Sequence, residues 1–215
     1  MSVDIRESLR KIQPELVEAR KAGLDEAQTV ERVSRFFGSV LGYDPERELT
    51  RDKSIQHTFV DLAVKLGDHI PLLIEVVAAE TALQLAHIQE ARRAAARDNV
   101  SYILLTNGLS FNLYHVTLDE TLQVAAAFAV DLRDGVTDEA VEMLQLLHKE
   151  RLAQGALDEF WKQRSRLGAV TLGRALFSTP VLSALRQELR DVEQIQVDSR
   201  VLAASLHELL LPVAR

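Results

Sequence analysis

Two consecutive apolar runs constrain the fold more than any other part of the chain: Thr58-Phe-Val-Asp-Leu-Ala-Val-Lys-Leu66 and Ile70-Pro-Leu-Leu-Ile-Glu-Val-Val77. Both have the length and the β-branched content of buried strands, and Gly67-Asp68-His69 between them reads as a three-residue hairpin loop. Each run carries one carboxylate near its centre, Asp61 and Glu75. A pairing symmetric about Asp68 sets these two directly opposite each other, with Cβ atoms about 4.5–5.5 Å apart. Carboxylates that close repel, and an ordinary hairpin has little reason to oppose them. A divalent cation resolves the conflict, since Mg²⁺ is held by one or two carboxylates together with water and phosphate oxygens. Asp61 and Glu75 are therefore the candidate metal ligands.

The rest of the chain arranges itself around this hairpin. Ile5, Leu9, Ile12, Leu16 and Val17 follow helical spacing, with Pro14 expected to bend or divide the segment. Asp25 is the expected N-cap of a second helix whose apolar face is Val30, Val33, Phe37, Val40 and Leu41, ending at Gly42-Tyr43-Asp44-Pro45. A polar strand is expected near Arg47–Arg51. After the hairpin, Glu80–Asp98 lacks Gly and Pro and reads as a helix. Val100–Thr106 reads as a buried strand, Asn107-Gly108 as a tight turn, Ser110–Thr117 as the returning strand and Leu122–Val130 as a further one. Only helices follow, expected over 137–153, 156–168, 180–192 and 198–213, with Ser178-Thr179-Pro180 starting the third. The expected architecture is α/β: a mixed sheet flanked by helices over residues 1–133, with an all-helical C-terminal extension over 134–215.

Composition narrows the function classes. The chain has 215 residues, 47% of them hydrophobic and 27% charged, as in an ordinary globular protein. No run of about 18 apolar residues is present, so no transmembrane span is expected. The first residues have no signal-peptide core, and the absence of cysteine excludes disulfides and thiolate metal sites. Together these give a cytoplasmic expectation and no membrane partner. The net charge is −7, from 25 basic and 32 acidic residues, so any DNA contact must come from a local patch rather than a basic surface.

Taken together, several phrases resemble the N-terminal nuclease domain of the type I restriction enzyme R subunit, a member of the PD-(D/E)XK superfamily. They are Val40-Leu-Gly-Tyr-Asp44, the Asp61 strand, Leu73-Ile-Glu-Val-Val77, Gln89 in a helix, and Ile103-Leu-Leu-Thr-Asn-Gly108 leading into Phe111-Asn-Leu-Tyr114. The likeness covers about residues 25–118. It implies a restriction-endonuclease-like fold and Mg²⁺-dependent hydrolysis of a DNA phosphodiester. It also implies catalytic roles for Asp61, Glu75 and Gln89, with Asp61 and Glu75 holding the metal. Two positions depart from the family pattern. Val77 stands where the motif lysine belongs, and Arg93 stands where a Gln-x-x-x-Tyr helix has its tyrosine. The family's translocase is missing as well, for no glycine here precedes a Lys-Ser or Lys-Thr pair.

A hydrophobe at 77 shares the face of Glu75 and cannot stabilise charge on a phosphate, so activity is expected to be weak or lost unless another cation substitutes. Arg93 lies one turn from Gln89, but a surface arginine in Arg92-Arg93-Ala-Ala-Ala-Arg97 is the ordinary reading. Lys65 is four residues from Asp61 along the strand, about 13 Å away and a poor substitute. Glu31 and Glu48 are the weaker options for a third carboxylate. The six histidines, at 57, 69, 87, 115, 148 and 207, show no ligand spacing and read as structural or surface residues. Phe160 and Trp161 read as core rather than a base-stacking platform. The alternative to a nuclease is a non-catalytic DNA- or protein-binding or dimerisation module on the same fold, with the leucine-bearing helix Val197–Val213 available for a homodimer contact.

Overall fold

The structure, a computed structural model, describes residues 4–55, 58–118 and 121–210. Helix α1, Ile5–Lys21, starts at Asp4, whose carboxylate accepts the Arg6 N–H at 3.0 Å, and it runs unbroken through Pro14. Helix α2, Glu26–Ser39, starts at the expected N-cap: Asp25 Oδ1 accepts the Gln28 N–H and Gln28 Oε1 accepts the Asp25 N–H, a reciprocal capping box. Six strands follow in one open sheet, ordered as in the sequence: β1 Leu49–Ile55, β2 Thr58–Leu66, β3 His69–Val76, β4 Tyr102–Thr106, β5 Ser110–Leu118 and β6 Leu122–Asp131. Neighbours are antiparallel except β3 and β4, which are parallel.

A parallel pair needs a crossover connection. Here it consists of a 3₁₀ turn, Leu85–Ile88, and helix α3, Gln89–Asp98. The helix expected over Glu80–Asp98 thus forms only in its second half. The chain leaving β3 is committed elsewhere first: Ala79 N–H donates to Leu24 O, Arg20 donates to Ala79 O, and Asn107 Nδ2 donates to Thr81 O. Those contacts outweigh the local helix propensity. Asn99, at φ 54°, ends α3 in the left-handed region that asparagine tolerates.

Alternation along the central strands builds two cores. Leu72, Ile74 and Val76 of β3 and Tyr102 and Leu104 of β4 face a large cluster containing Leu9, Phe36, Phe37 and Phe111. Their neighbours Leu73, Ile103 and Leu105 face the opposite side, where Ile88, Ala91, Ala94 and Ala95 bring α3 down onto the sheet. The chain is therefore α/β, with a mixed six-stranded sheet covered by helices on both faces, as expected at that level.

The hairpin is tighter than expected. Leu66 pairs with His69 across a two-residue Gly67-Asp68 turn, with Gly67 at φ 63° as a type II′ turn asks of its first central residue. The ladder then shifts by one between that pair and Val64↔Leu72, placing an extra residue at Ile70-Pro71. Pro71 has no N–H to give a ladder, and a bulge is where a strand tolerates one. The short turn and the extra residue cancel, so beyond the bulge the pairing is symmetric about Asp68 after all: Val64↔Leu72, Ala63↔Leu73, Leu62↔Ile74. A second bulge sits between β5 and β6. Leu113 pairs with Phe128 and Tyr114 with Ala126, leaving Ala127 over.

Helices α4, Asp138–Gln145, α5, Lys149–Ala153, and α6, Ala156–Arg166, follow. The single helix expected over 137–153 is broken at Leu146–His148. There Tyr43 Oη donates to Leu147 O at 2.7 Å and Lys149 N–H donates to Leu41 O at 2.9 Å, so the end of α2 fixes the break. Strands cease near residue 133, as expected, but the core does not: Leu144, Leu147, Leu152 and Leu157 belong to the same cluster as Phe36 and Phe111. By internal contacts the first compact unit is Met1–Trp161 and the second Lys162–Arg215. The second unit holds α7, Ala169–Leu176, which the sequence reading did not include, α8, Thr179–Asp191, and α9, Ser199–Leu210. Among its described residues Leu182 and Leu202 are buried, and Arg186 ties α8 to the following loop through Val197 O at 2.7 Å. The expected helix 198–213 runs past Leu210 into positions outside the described residues, as does His57. Among the described residues no helix is long and apolar enough to cross a membrane.

Candidate functional site

The β2–β3 register runs to Leu62↔Ile74, and one step further along both strands brings Asp61 level with Glu75. Side chains alternate along a strand, so Glu75 shares the α3-covered face with Leu73 and Val77, both packed in the second core. The carboxyl groups meet: Glu75 and Asp61 are hydrogen-bonded to each other, and Asp61 Oδ2 also accepts the Val76 N–H at 2.7 Å. Two carboxylates cannot share a hydrogen bond without a proton between them. Burial pushes the Glu75 carboxyl up, and the charge of Asp61 and its hydrogen bond push it further, with Glu26 and Glu90 adding to the same effect; the result is about 9. At neutral pH Glu75 is thus the protonated partner, donating to the Asp61 carboxylate.

Among the described residues, the charges that raise the Glu75 carboxyl are all negative. Glu26 stands in the first turn of α2 and Glu90 in the first turn of α3, and both are exposed. Neither was marked by sequence, because each reaches the pair only through tertiary structure. Among the described residues no group of three histidines or acids is close enough to hold a metal ion together.

The other expected residues are placed as follows. Gln89 opens α3 and is exposed. Arg93 is exposed and paired with Glu90 on its own helix. Val77 is partly buried, with its N–H donated to Thr106 O at 3.0 Å. Lys65 is exposed. Glu48 is engaged with Lys149 at 2.6 Å and with the Asp44 N–H at 2.8 Å, closing the turn after α2. Glu31 lies on the exposed side of α2.

Among the histidines, His87 Nδ1 accepts the Gln84 N–H, His207 meets Phe177 edge-on and His115 stacks on Trp161 at 4.3 Å. Phe160 packs against Phe128, and both Phe160 and Trp161 sit against the main core, as their sequence reading held. No protein-family model, curated protein or solved structure matches the chain.

Proposed function

We propose that the first compact unit is a nuclease-like domain of the type I restriction R-subunit kind, on a restriction-endonuclease-like fold, in which hydrolysis of DNA phosphodiesters is weak or lost. The observation that carries this reading is the opposed, hydrogen-bonded Asp61–Glu75 pair on adjacent strands of a mixed sheet. The donor set fits Mg²⁺ loosely, as two carboxylates completed by water. Mg²⁺ held there supplies polarisation of a phosphate oxygen and a lowered pKa for an attacking water. The protein's own part is to present the ligands. The Val76 N–H fixes one oxygen of Asp61, and Glu75 becomes a ligand only by releasing the proton it shares with Asp61.

Among the described residues, the positions expected to supply a cation do not. Val77 is apolar, Arg93 is held by Glu90, and Gln89 is left to orient water or backbone. Removing one preorganised donor from such a site costs on the order of 10²–10³ in rate. The shared proton, already relieving the repulsion that a metal would relieve, favours a second reading: a non-catalytic DNA- or protein-binding module on a degenerate nuclease fold.

Plasmid cleavage separates the readings. Supercoiled DNA with Mg²⁺ or Mn²⁺ is expected to survive the native protein and to be nicked by Val77→Lys. Efficient cutting by the native protein, abolished in Glu75→Ala, would overturn the weak-or-lost reading. No cutting by either protein selects the binding module.

A further inference from the structure

Exposed apolar side chains are unevenly shared between the two compact units. Among the described residues nine large hydrophobics are exposed, and seven of them lie in Lys162–Arg215, about a quarter of the chain. The first unit contributes only Leu85 and Leu118. The core of the second unit is correspondingly thin. Among its described residues Leu182 of α8 and Leu202 of α9 are buried, with Leu185, Leu189 and Leu206 partly buried beside them.

Helical periodicity places the uncovered residues. Successive residues turn by about 100°, so Val181 and Val192 share one side of α8, next to the stripe of Leu182, Leu185 and Leu189. On α9, Val201 and Leu209 fall to one side of the stripe of Leu202 and Leu206, and His207 to the other. The short connection makes α8 and α9 antiparallel neighbours. Both exposed pairs precede their contact stripe in the same rotational sense, which in antiparallel right-handed helices sets them on one side of the α8–α9 layer. The opposite side of α9 is occupied, because His207 meets the ring of Phe177, the residue that ends α7. Val181, Val192, Val201 and Leu209 stay 37%, 61%, 58% and 78% exposed. Glu188 and Glu208 border this face on its outer edges and leave its centre uncharged.

We propose that this face is a homodimer interface, in which α8 and α9 of one chain pack on α8 and α9 of a second copy about a two-fold axis. The first unit, with Leu85 and Leu118 as its exposed large hydrophobics among the described residues, has no apolar face to offer it. A second copy brings an identical face, as an isologous contact requires. Helices of 13 and 12 residues are about 18–20 Å long and lie about 8–10 Å apart, so the face measures roughly 20 by 20 Å. Two such faces bury on the order of 1,000 Å² together, the lower bound for a specific interface, which sets the expected affinity in the micromolar range. The contact is independent of the nuclease reading, because it uses no residue of the first unit.

Sedimentation equilibrium of the full chain from about 1 to about 200 µM tests the contact. The mass is expected to rise from 24.0 kDa toward twice that value, with a dissociation constant on the order of 10 µM. Val192→Lys and Leu209→Lys together place cations near the C-terminal ends of α8 and α9, where the helix dipole favours them. This pair is expected to weaken dimerisation at least tenfold without lowering the melting temperature of dilute protein. Leu118→Lys, the same change on the first unit, is expected to leave dimerisation unchanged. Salt at about 0.5 M is expected to maintain or tighten the dimer, because it screens Glu188 and Glu208. The proposal is overturned by a chain that stays monomeric across the range, or by a dimer indifferent to the lysine pair or equally weakened by Leu118→Lys. A dimer that dissociates in salt overturns it in favour of a contact between charged surfaces. A lysine pair that destabilises the dilute monomer overturns it as well, by showing that the chain itself covers the face.

Discussion

The two ends of the β2–β3 hairpin each hold an acid with a hydrogen-bonded partner, and the partners differ. At one end the half-buried Glu75 faces another carboxyl group, and the charges acting on it from the described residues are acidic. At the other, Asp158 receives a phenol hydroxyl at the mouth of a cavity. An acid set against an acid must keep a proton, since desolvation and like charge both disfavour ionisation. Where an acid is set against a phenol, Tyr102 holds its proton more tightly, through burial first and the Asp158 carboxylate second. The first end is thus closed by a proton until the pH or a cation removes it.

That contrast is easiest to break through its pH dependence. Glu75 is protonated in the folded chain up to about 9, against an ordinary value of 4.5. Between those values the native state holds one proton more than the unfolded state, so stability falls as pH rises, by up to about 1.4 kcal/mol per pH unit. Denaturant unfolding at pH 6 and pH 8 should therefore differ by up to about 3 kcal/mol from this group. Glu75→Gln, which keeps a donor to Asp61 and cannot ionise, is expected to remove that difference, leaving the variant the more stable at pH 8 and level with the parent near pH 5. Parallel curves for parent and variant would remove the shared proton from the description.

Tyr102→Phe probes the other end. One hydrogen bond to an exposed carboxylate is lost, a cost of about 1 kcal/mol. The slope between pH 6 and 8 should stay that of the parent, because a tyrosine raised above its ordinary value titrates above that window. A changed slope would mean that the two ends are coupled. The smallest effect is reserved for Arg93→Ala. Its exposed pairing with Glu90 is worth no more than about 0.5 kcal/mol, and the titration of Glu75, followed by side-chain carbonyl NMR, should not move. A clear shift in Glu75 would place Arg93 in the site after all.

How far the sequence revealed these features follows from how local their causes are. The opposition of Asp61 and Glu75 was readable because strand periodicity and a short loop determine it between them. The reading reached the right register through a three-residue loop, whereas the chain uses two residues and a bulge at Pro71. Helix boundaries failed where distant groups intervene: residues 80–84 are drawn off by Arg20 and Asn107, and the break before α5 is made by Tyr43 and Leu41. Helix α7 lies between Gly168 and Ser178 with Gly173 inside it, a composition that hides a short helix. The cavity was invisible because its walls come from three segments that no local pattern connects.

The leftover residue in β6 has a consequence of its own. Leu122 and Val124, before Ala127, pack with the α3 layer, while Phe128 and Val130, after it, pack with the opposite layer. All four are even-numbered, and an uninterrupted strand would put them on one side. Ala127 therefore acts as a change of phase within the folded chain: the strand is read in one frame up to it and in the other frame beyond it. Register along this edge is locked at a single methyl-bearing residue. Sliding the strand either way would turn one of the two hydrophobic pairs outward, so the same residue that interrupts the ladder also keeps it from slipping.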